Sequence, residues 1–301
     1  MPWRALGVAG AVLLSLALAA LLLRARGLRA DDLLFVALGI VAGGVIGGRL
    51  VHGLVFLPTY AADPGALLDP ARGSFSLLGA VGGGALGGRY IVGRLEAPAG
   101  LWADIAAAPM LLAIGLGKLA QLLAGAGQGV PFDGTWALAF TSPGPWASVL
   151  ANLPAHPAQA YEGLWALAGV PVMLVLLRRG HGTGRLLMMA LAWWLLGRIA
   201  AASTWRDERL LGPLNVEQML AVLLFAFAAA LVVLPVPAEP TEEALPPADG
   251  DLSERGTAGT TERLDGSPAL TSDEAVLDHP MRPGYREDPG PSPWGPTKGW
   301  P

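Results

Sequence analysis

Ionisable and amide side chains interrupt several long apolar stretches of this 301-residue sequence. Burying such a group at bilayer depth is costly, so each one is a candidate functional residue. The side chains concerned are Arg49, His52, Arg89, Asp104, Lys118, Gln121, Glu162 and Arg198. The cations outnumber Asp104 and Glu162, their expected acidic partners. We therefore expect an anion from outside the protein, such as a lipid phosphate, which guanidinium and ammonium groups bind strongly where water is scarce.

Spacing groups some of these residues into pairs. Lys118 and Gln121 are three residues apart, as are Arg49 and His52, so each pair shares one face of a helix. Each cation has an alternative role, because it could reach the membrane interface or pair with an acid. Lys118 and Arg198 lie far from the ends of their apolar stretches, which favours a function. For Arg49 and His52 both interpretations stay open.

The densest polar motif is His-Pro-x-Gln-x-Tyr-Glu at residues 156–162. The proline stiffens the start of a helix, and the spacing of Gln159 and Glu162 allows them to share a face. His156 is a candidate general base or hydrogen-bond donor. The alternative is a helix cap followed by an interfacial Tyr161.

The composition indicates which kind of structure holds these residues. The chain is 53% hydrophobic and 15% charged, with a mean hydropathy of +0.49, which indicates a membrane protein. It contains no cysteine, so thiolate metal sites and cysteine nucleophiles are excluded. We predict an all-α polytopic membrane protein with about seven transmembrane helices. The candidate spans are roughly 5–23, 33–57, 75–93, 104–124, 160–177, 186–204 and 216–235.

The chain divides into two domains by composition. Residues 1–235 form the predicted transmembrane domain, and 125–159 form a Gly- and Pro-rich extracytoplasmic cap loop without Lys or Arg. Residues 236–301 hold 13 acidic and 5 basic residues, so we predict a disordered cytoplasmic tail. Arginines are more frequent in the loops that lie inside if the N-terminus is outside, which favours that orientation.

Glycines mark a helix interface. Gly43 and Gly47 in the second span and Gly79, Gly83 and Gly87 in the third recur every four residues. Small residues at this spacing let two helices approach closely. The pattern predicts tight packing of these two spans, and the alternative is that some glycines leave room for a lipid chain.

Several stretches together carry a resemblance over roughly residues 30–235. They are Gly-Gly-Arg-Leu-Val-His at 47–52, residues 73–80, the segment from Asp104 through Lys118 to Gly129, the motif at 156–162, Arg198, and Gln-Met-Leu at 218–220. In this order they resemble the prolipoprotein diacylglyceryl transferase family. The His-Pro motif is matched completely.

The resemblance implies a seven-span bacterial plasma-membrane enzyme that moves a diacylglyceryl group from phosphatidylglycerol to the lipobox cysteine of a prolipoprotein. Its implied partners are phosphatidylglycerol and the prolipoprotein signal peptide, with no metal, organic cofactor or nucleic acid. Lys118, Gln121, Arg198 and Arg49 would bind the lipid headgroup. His156 would accept a proton, supported by Tyr161 and Glu162.

The sequence also departs from the family pattern. Lys118 replaces an arginine, Gln121 replaces an asparagine, and Ala202 replaces an acid one turn after the sixth-span arginine. The family histidine near Ser76 has no counterpart. Two hypotheses follow: a divergent transferase, or a non-catalytic relative that binds anionic phospholipid or lipoprotein signal peptides.

Overall fold

The computed structural model describes residues 2–69, 75–125, 127–140, 152–180, 182–207 and 209–234. The predicted tail and the central part of the predicted cap loop, 141–151, lie outside these ranges. Within them the chain is mostly helical, with a two-stranded hairpin as the named sheet, which confirms the predicted fold class. The helices are α1 Pro2–Ala25, α2 Asp32–Val55, α3 Leu57–Ala62, α4 Leu77–Arg94, α5 Ala99–Leu123, α6 Ala158–Arg178, α7 Arg185–Ala202 and α8 Val216–Val233.

Seven of the described helices have at least 18 residues, and each overlaps one predicted span. Six of them, α1, α2, α5, α6, α7 and α8, are long and apolar enough to cross a membrane. The seventh, α4, contains many glycines together with Arg89 and Arg94, which lower its hydropathy. Short elements join the long ones, namely α3, a 3₁₀ turn at Pro64–Leu67, and a hairpin of β1 Arg209–Leu211 with β2 Leu214–Asn215.

Helices α2 and α4 pack against each other along their length, as the glycine pattern predicts. A methyl group on Gly43 would overlap the carbonyl oxygen of Gly83, and one on Gly83 would overlap that of Gly43. The two backbones therefore touch at a distance that only glycine allows. Gly82, one residue away on α4, faces open space.

Helix α5 lies at the centre of the remaining bundle, in contact with α1, α6 and α7. Its buried residues include Ile105 and Leu111. Two tryptophans hold α6 against α7, because Trp165 Nε1 donates to the Trp193 carbonyl at 2.6 Å and Trp193 Nε1 donates to the Trp165 carbonyl at 2.9 Å. Their rings stack with centroids 4.6 Å apart. This reciprocal pairing satisfies both indole N–H groups inside the bundle.

The start of α8 is fixed by a capping box. The Asn215 side chain accepts from the Gln218 backbone N–H at 2.7 Å, and the Gln218 side chain accepts from the Asn215 N–H at 3.1 Å. Gln218 Nε2 also donates to the Ile199 carbonyl of α7 at 3.1 Å. These bonds tie the first turn of α8 to the end of α7, and they place Glu217 beside α7.

Candidate functional site

A buried carboxylate, Glu162, is the centre of an ion-pair network between helices. Glu162 is fully buried on the second turn of α6. Lys118 Nζ of α5 lies 2.8 Å from its Oε2, and Arg198 Nη1 of α7 lies 2.8 Å from its Oε1. Trp194 Nε1 donates to Oε1 at 2.9 Å. A carboxylate can be buried at this position because cations and a donor surround it.

Arg198 is held by a second carboxylate that sequence reasoning missed. Arg198 Nη2 lies 2.5 Å from Oε2 of Glu217, the second residue of α8. Ser76 at the start of α4 donates to Glu217 Oε1 at 3.0 Å. An acid in the first turn of a helix is ordinary, because it complements the helix dipole, so its position in the sequence gave no signal.

The other expected acidic partner, Asp104, does not join this network. Its Oδ1 accepts from the Leu186 N–H at 2.8 Å, and its Oδ2 accepts from the Thr183 N–H at 3.1 Å. Asp104 is fully buried and caps the first turn of α7 from the neighbouring α5. The prediction that Asp104 pairs with a membrane cation is therefore wrong. Its carboxylate satisfies backbone donors that a helix start leaves free.

The predicted surplus of cations is also wrong for this group. Lys118 and Arg198 face Glu162 and Glu217, so the four formal charges cancel.

The prediction that Lys118 and Arg198 lie far from the ends of their spans is also wrong. Lys118 lies five residues before the end of α5 and Arg198 four residues before the end of α7, which is about 6–8 Å along the axis. The network occupies the ends of five helices.

A polar cavity of about 240 Å³ opens beside Lys118. It is lined by Lys118, Gln121, Gly127, Gln128, Ala158, Gln159, Trp205, Arg206 and Asp207. Arg198 contacts Trp205, with its Cζ 4.7 Å from the ring centroid. Lys118 and Gln121, which the spacing predicts on one helix face, line the same cavity, whereas Arg198 does not line it.

Arg206 is the cation of the cavity that sequence reasoning missed. Its Nε donates to the Gly129 carbonyl at 2.6 Å, which fixes the guanidinium. Its Nη2 is buried and has no hydrogen-bond partner among the described residues. Partial burial and the neighbouring Glu217 carboxylate raise the pKa of Asp207, the acid next to Arg206. Arg206 therefore gives the cavity a positive charge with donors available for an anion.

His156 and Tyr161 form a separate group at the start of α6, in contact with the segment 127–140. His156 Nδ1 lies 3.0 Å from Tyr161 Oη, and Trp136 Nε1 donates to the same oxygen at 2.8 Å. The His156 ring stacks on Phe132 with centroids 4.0 Å apart. Neither His156 nor Tyr161 lines the polar cavity.

Arg49 lies in the last two turns of α2. It is buried, its Nη2 donates to the Asp69 carbonyl, and its Cζ lies 4.9 Å from the centroid of Phe75. Arg49 does not line the polar cavity. Within the described residues no group of three His, Asp or Glu side chains could hold a metal ion.

The fold and site define a polytopic helical membrane protein with a polar cavity above an interhelical ion-pair network. A family model for prolipoprotein diacylglyceryl transferase matches residues 1–234. The chain belongs to this family.

Curated relatives match a shorter segment. Enzymes named phosphatidylglycerol–prolipoprotein diacylglyceryl transferase from Bacillus cytotoxicus, Bacillus cereus and Bacillus anthracis are each 30% identical to the chain over 79 residues. The matched segment covers 26% of this chain and 29% of each relative, so the chain spans less than a third of their length by this comparison.

Proposed function

We propose that this protein transfers a diacylglyceryl group from phosphatidylglycerol to the cysteine thiol of a prolipoprotein lipobox. The observation that carries the proposal is the polar cavity, which presents the Lys118 ammonium and the Arg206 guanidinium to the same space. A lipid headgroup with one phosphate suits a small cavity lined by cations and amides. The family and the names of its members supply the reaction.

In this proposal Arg206 and Lys118 divide the task of binding the phosphate. Lys118 replaces the family arginine and cannot form two parallel hydrogen bonds, since an ammonium acts as a point charge. Arg206 supplies the planar donor group, anchored through Nε to Gly129. Gln121 and Gln159 line the same cavity and would bind the glycerol hydroxyls of the headgroup.

The ion-pair network positions these groups. Both Glu162 oxygens lie in ion pairs, so we assign Glu162 to fixing Lys118 and Arg198 rather than to exchanging protons. Arg198 contacts Trp205, a residue of the cavity wall, with its Cζ 4.7 Å from the ring centroid. The Lys118 and Arg206 cations of the cavity would stabilise negative charge that develops on the leaving phosphate.

The reaction balances without a cofactor. The thiol loses its proton to a base, and the sulfur attacks the carbon of the diacylglyceryl group that is bonded to the phosphate oxygen. The sulfur–carbon bond forms while the carbon–oxygen bond breaks, and glycerol phosphate leaves with the electron pair. With the N-terminus outside the plasma membrane, the helix ends that hold the network face outward, where a secreted prolipoprotein presents its signal peptide.

A mass-shift assay tests the proposal. Full-length protein in phosphatidylglycerol vesicles is mixed with a lipobox peptide, and the cysteine is analysed for an added diacylglyceryl group. We expect transfer by the wild-type protein and a loss of about 10–100-fold in Arg206→Gln, because charge-assisted hydrogen bonds contribute about 1.5–3 kcal/mol. Arg209→Gln is the matched control, since Arg209 lies exposed in β1 nearby in sequence.

One result would contradict the transferase activity, and another would contradict the role of Arg206. Phosphatidylglycerol binding that depends on Arg206, without any transfer, would identify a non-catalytic lipid-binding relative. Transfer that is equally fast in Arg206→Gln and wild-type protein would remove Arg206 from the site.

A further inference from the structure

Among the described residues that line the polar cavity, Asp207 is the one that carries a carboxyl group. It follows Arg206 in the segment between α7 and β1, and its side chain is exposed. Its carboxylate forms no hydrogen bond or ion pair with any residue that the structure describes. A carboxylate that is not already engaged can accept a proton from a group that enters the cavity.

The thiol of the substrate must come to the same cavity. In the proposed function the lipid phosphate binds beside Lys118 and Arg206, and the carbon that is attacked is bonded to a phosphate oxygen. The cavity volume is only about 240 Å³, so the incoming sulfur shares this space with Asp207. A general base must lie within hydrogen-bond reach of the proton that it accepts, directly or through one water.

The two buried acids of the ion-pair network are already engaged. Glu162 pairs through one oxygen with Lys118 and through the other with Arg198. Glu217 pairs through Oε2 with Arg198, and its Oε1 accepts from Ser76. Neither acid lines the cavity. Both carboxylates therefore serve to neutralise and hold cations.

The described histidines, His52 and His156, do not line the cavity either. His156 Nδ1 faces the hydroxyl of Tyr161, and its ring stacks on Phe132. These contacts suit a residue that holds the segment 127–140 on the start of α6. Asp207 is thus the base candidate that the structure places in the cavity with the phosphate-binding cations.

Charges around Asp207 favour proton transfer to it. The charged groups that face it are Glu217 from α8, Arg198 from α7, and Lys118 and Arg206 in the cavity itself. Burial and Glu217 raise the pKa of Asp207, and Arg198 opposes them, so the carboxylate is a stronger base than an ordinary aspartate. The cavity cations lower the pKa of a thiol that enters.

We propose that Asp207 is the proton acceptor of the transfer reaction. This inference rests on the proposed function. The S–H bond of the substrate thiol breaks, and its proton goes to a carboxylate oxygen of Asp207. The sulfur forms a bond to the diacylglyceryl carbon, and glycerol phosphate leaves with the electrons of the broken carbon–oxygen bond. Because its side chain is exposed, Asp207 then releases the proton to water.

The test compares the pH dependence of transfer by full-length wild-type protein and Asp207→Asn in phosphatidylglycerol vesicles with a lipobox peptide. We expect the wild-type rate to level off above the pKa of Asp207. For Asp207→Asn we expect a loss of about 100-fold at neutral pH, as is typical when a general base is removed. The remaining rate should rise about tenfold per pH unit up to the thiol pKa, about 8.5, because the thiolate must then form unaided.

Further variants separate proton transfer from lipid binding and from folding. Asp207→Glu keeps the carboxylate and should restore the levelling of the profile. Glu208→Gln, which removes the neighbouring acid in the sequence, is the matched control and should keep the wild-type profile. Asp207→Asn should bind phosphatidylglycerol at least as tightly as the wild type, because it loses a negative charge beside Arg206.

The outcomes distinguish this inference from the proposed function. An active wild type whose profile is unchanged in Asp207→Asn would overturn the role of Asp207 alone. Loss of the levelling in Glu208→Gln, or loss of phosphatidylglycerol binding in Asp207→Asn, would also overturn that role. A wild type that binds phosphatidylglycerol but transfers nothing would overturn both proposals.

Discussion

Arg198 Nη2, near the end of α7, lies 2.5 Å from Oε2 of Glu217, at the start of α8. The intervening turn and hairpin bring these two helix ends together, and the capping box of Asn215 and Gln218 fixes the register. A carboxylate therefore faces Arg198 even though Ala202, one turn along its own helix, carries none. This chain has Ala202 where the family pattern has an acid, and Glu217 supplies a carboxylate to Arg198 from α8 instead.

Glu162→Gln should destabilise the protein more than any other single change in the network. It leaves the buried Arg198 and the partly buried Lys118 without their shared carboxylate, and breaking a buried ion pair typically costs about 3–5 kcal/mol. Denaturant unfolding in detergent micelles measures the loss. The double variant Lys118→Met with Glu162→Gln removes a matched pair of charges and should recover part of it. A double variant less stable than Glu162→Gln would contradict the pairing.

Gly43→Ala should weaken the contact between α2 and α4. Its methyl group would meet the backbone of Gly83, which cannot move aside as a side chain can, so we expect a loss of about 1–3 kcal/mol. Gly82→Ala is the control, because its methyl group would point into open space. Thermal unfolding should rank Gly43→Ala well below Gly82→Ala, and equal stability of the two would show that the helices are not in contact there.

Asp104→Ala should loosen the start of α7 without changing lipid binding. The variant removes the acceptor of two backbone N–H groups, and losing a helix cap costs about 0.5–2 kcal/mol. Hydrogen exchange of Thr183 and Leu186 should accelerate, whereas Asp104→Asn, which keeps one acceptor oxygen, should show a smaller effect. A large loss of phosphatidylglycerol affinity in either variant would instead place Asp104 in the binding site.

Phosphatidylglycerol binding should tighten as the pH falls through the titration of Asp207. Burial and the Glu217 carboxylate raise the pKa of Asp207, whereas the Arg198 guanidinium opposes this shift. The carboxyl therefore becomes neutral at a higher pH than an ordinary aspartate, which removes a negative charge next to Arg206. Lipid affinity measured across pH should show this step in the wild type. The step should be absent in Asp207→Asn, and a step that persists there must come from another group.

Hydropathy and spacing along the chain predict the helical spans, the glycine contact between α2 and α4, and the shared helix face of Lys118 and Gln121. Hydropathy and helical periodicity are local properties, so they can be read from a linear pattern. Glu162 also stood out, because an acid inside an apolar segment is unusual.

Which charges meet depends on the tertiary structure. Glu217 lies in the first turn of a helix and Arg206 in a loop, where charged residues are common and carry no signal. Asp104 did stand out in the sequence, but its partners did not. Their roles follow from which helix ends are adjacent: Glu217 reaches Arg198 across two helices, Arg206 turns back to Gly129, and Asp104 caps a helix that begins about 80 residues later. Coulombic and hydrogen-bond energies depend on distance in space, and the chain separation of these partners does not reveal that distance.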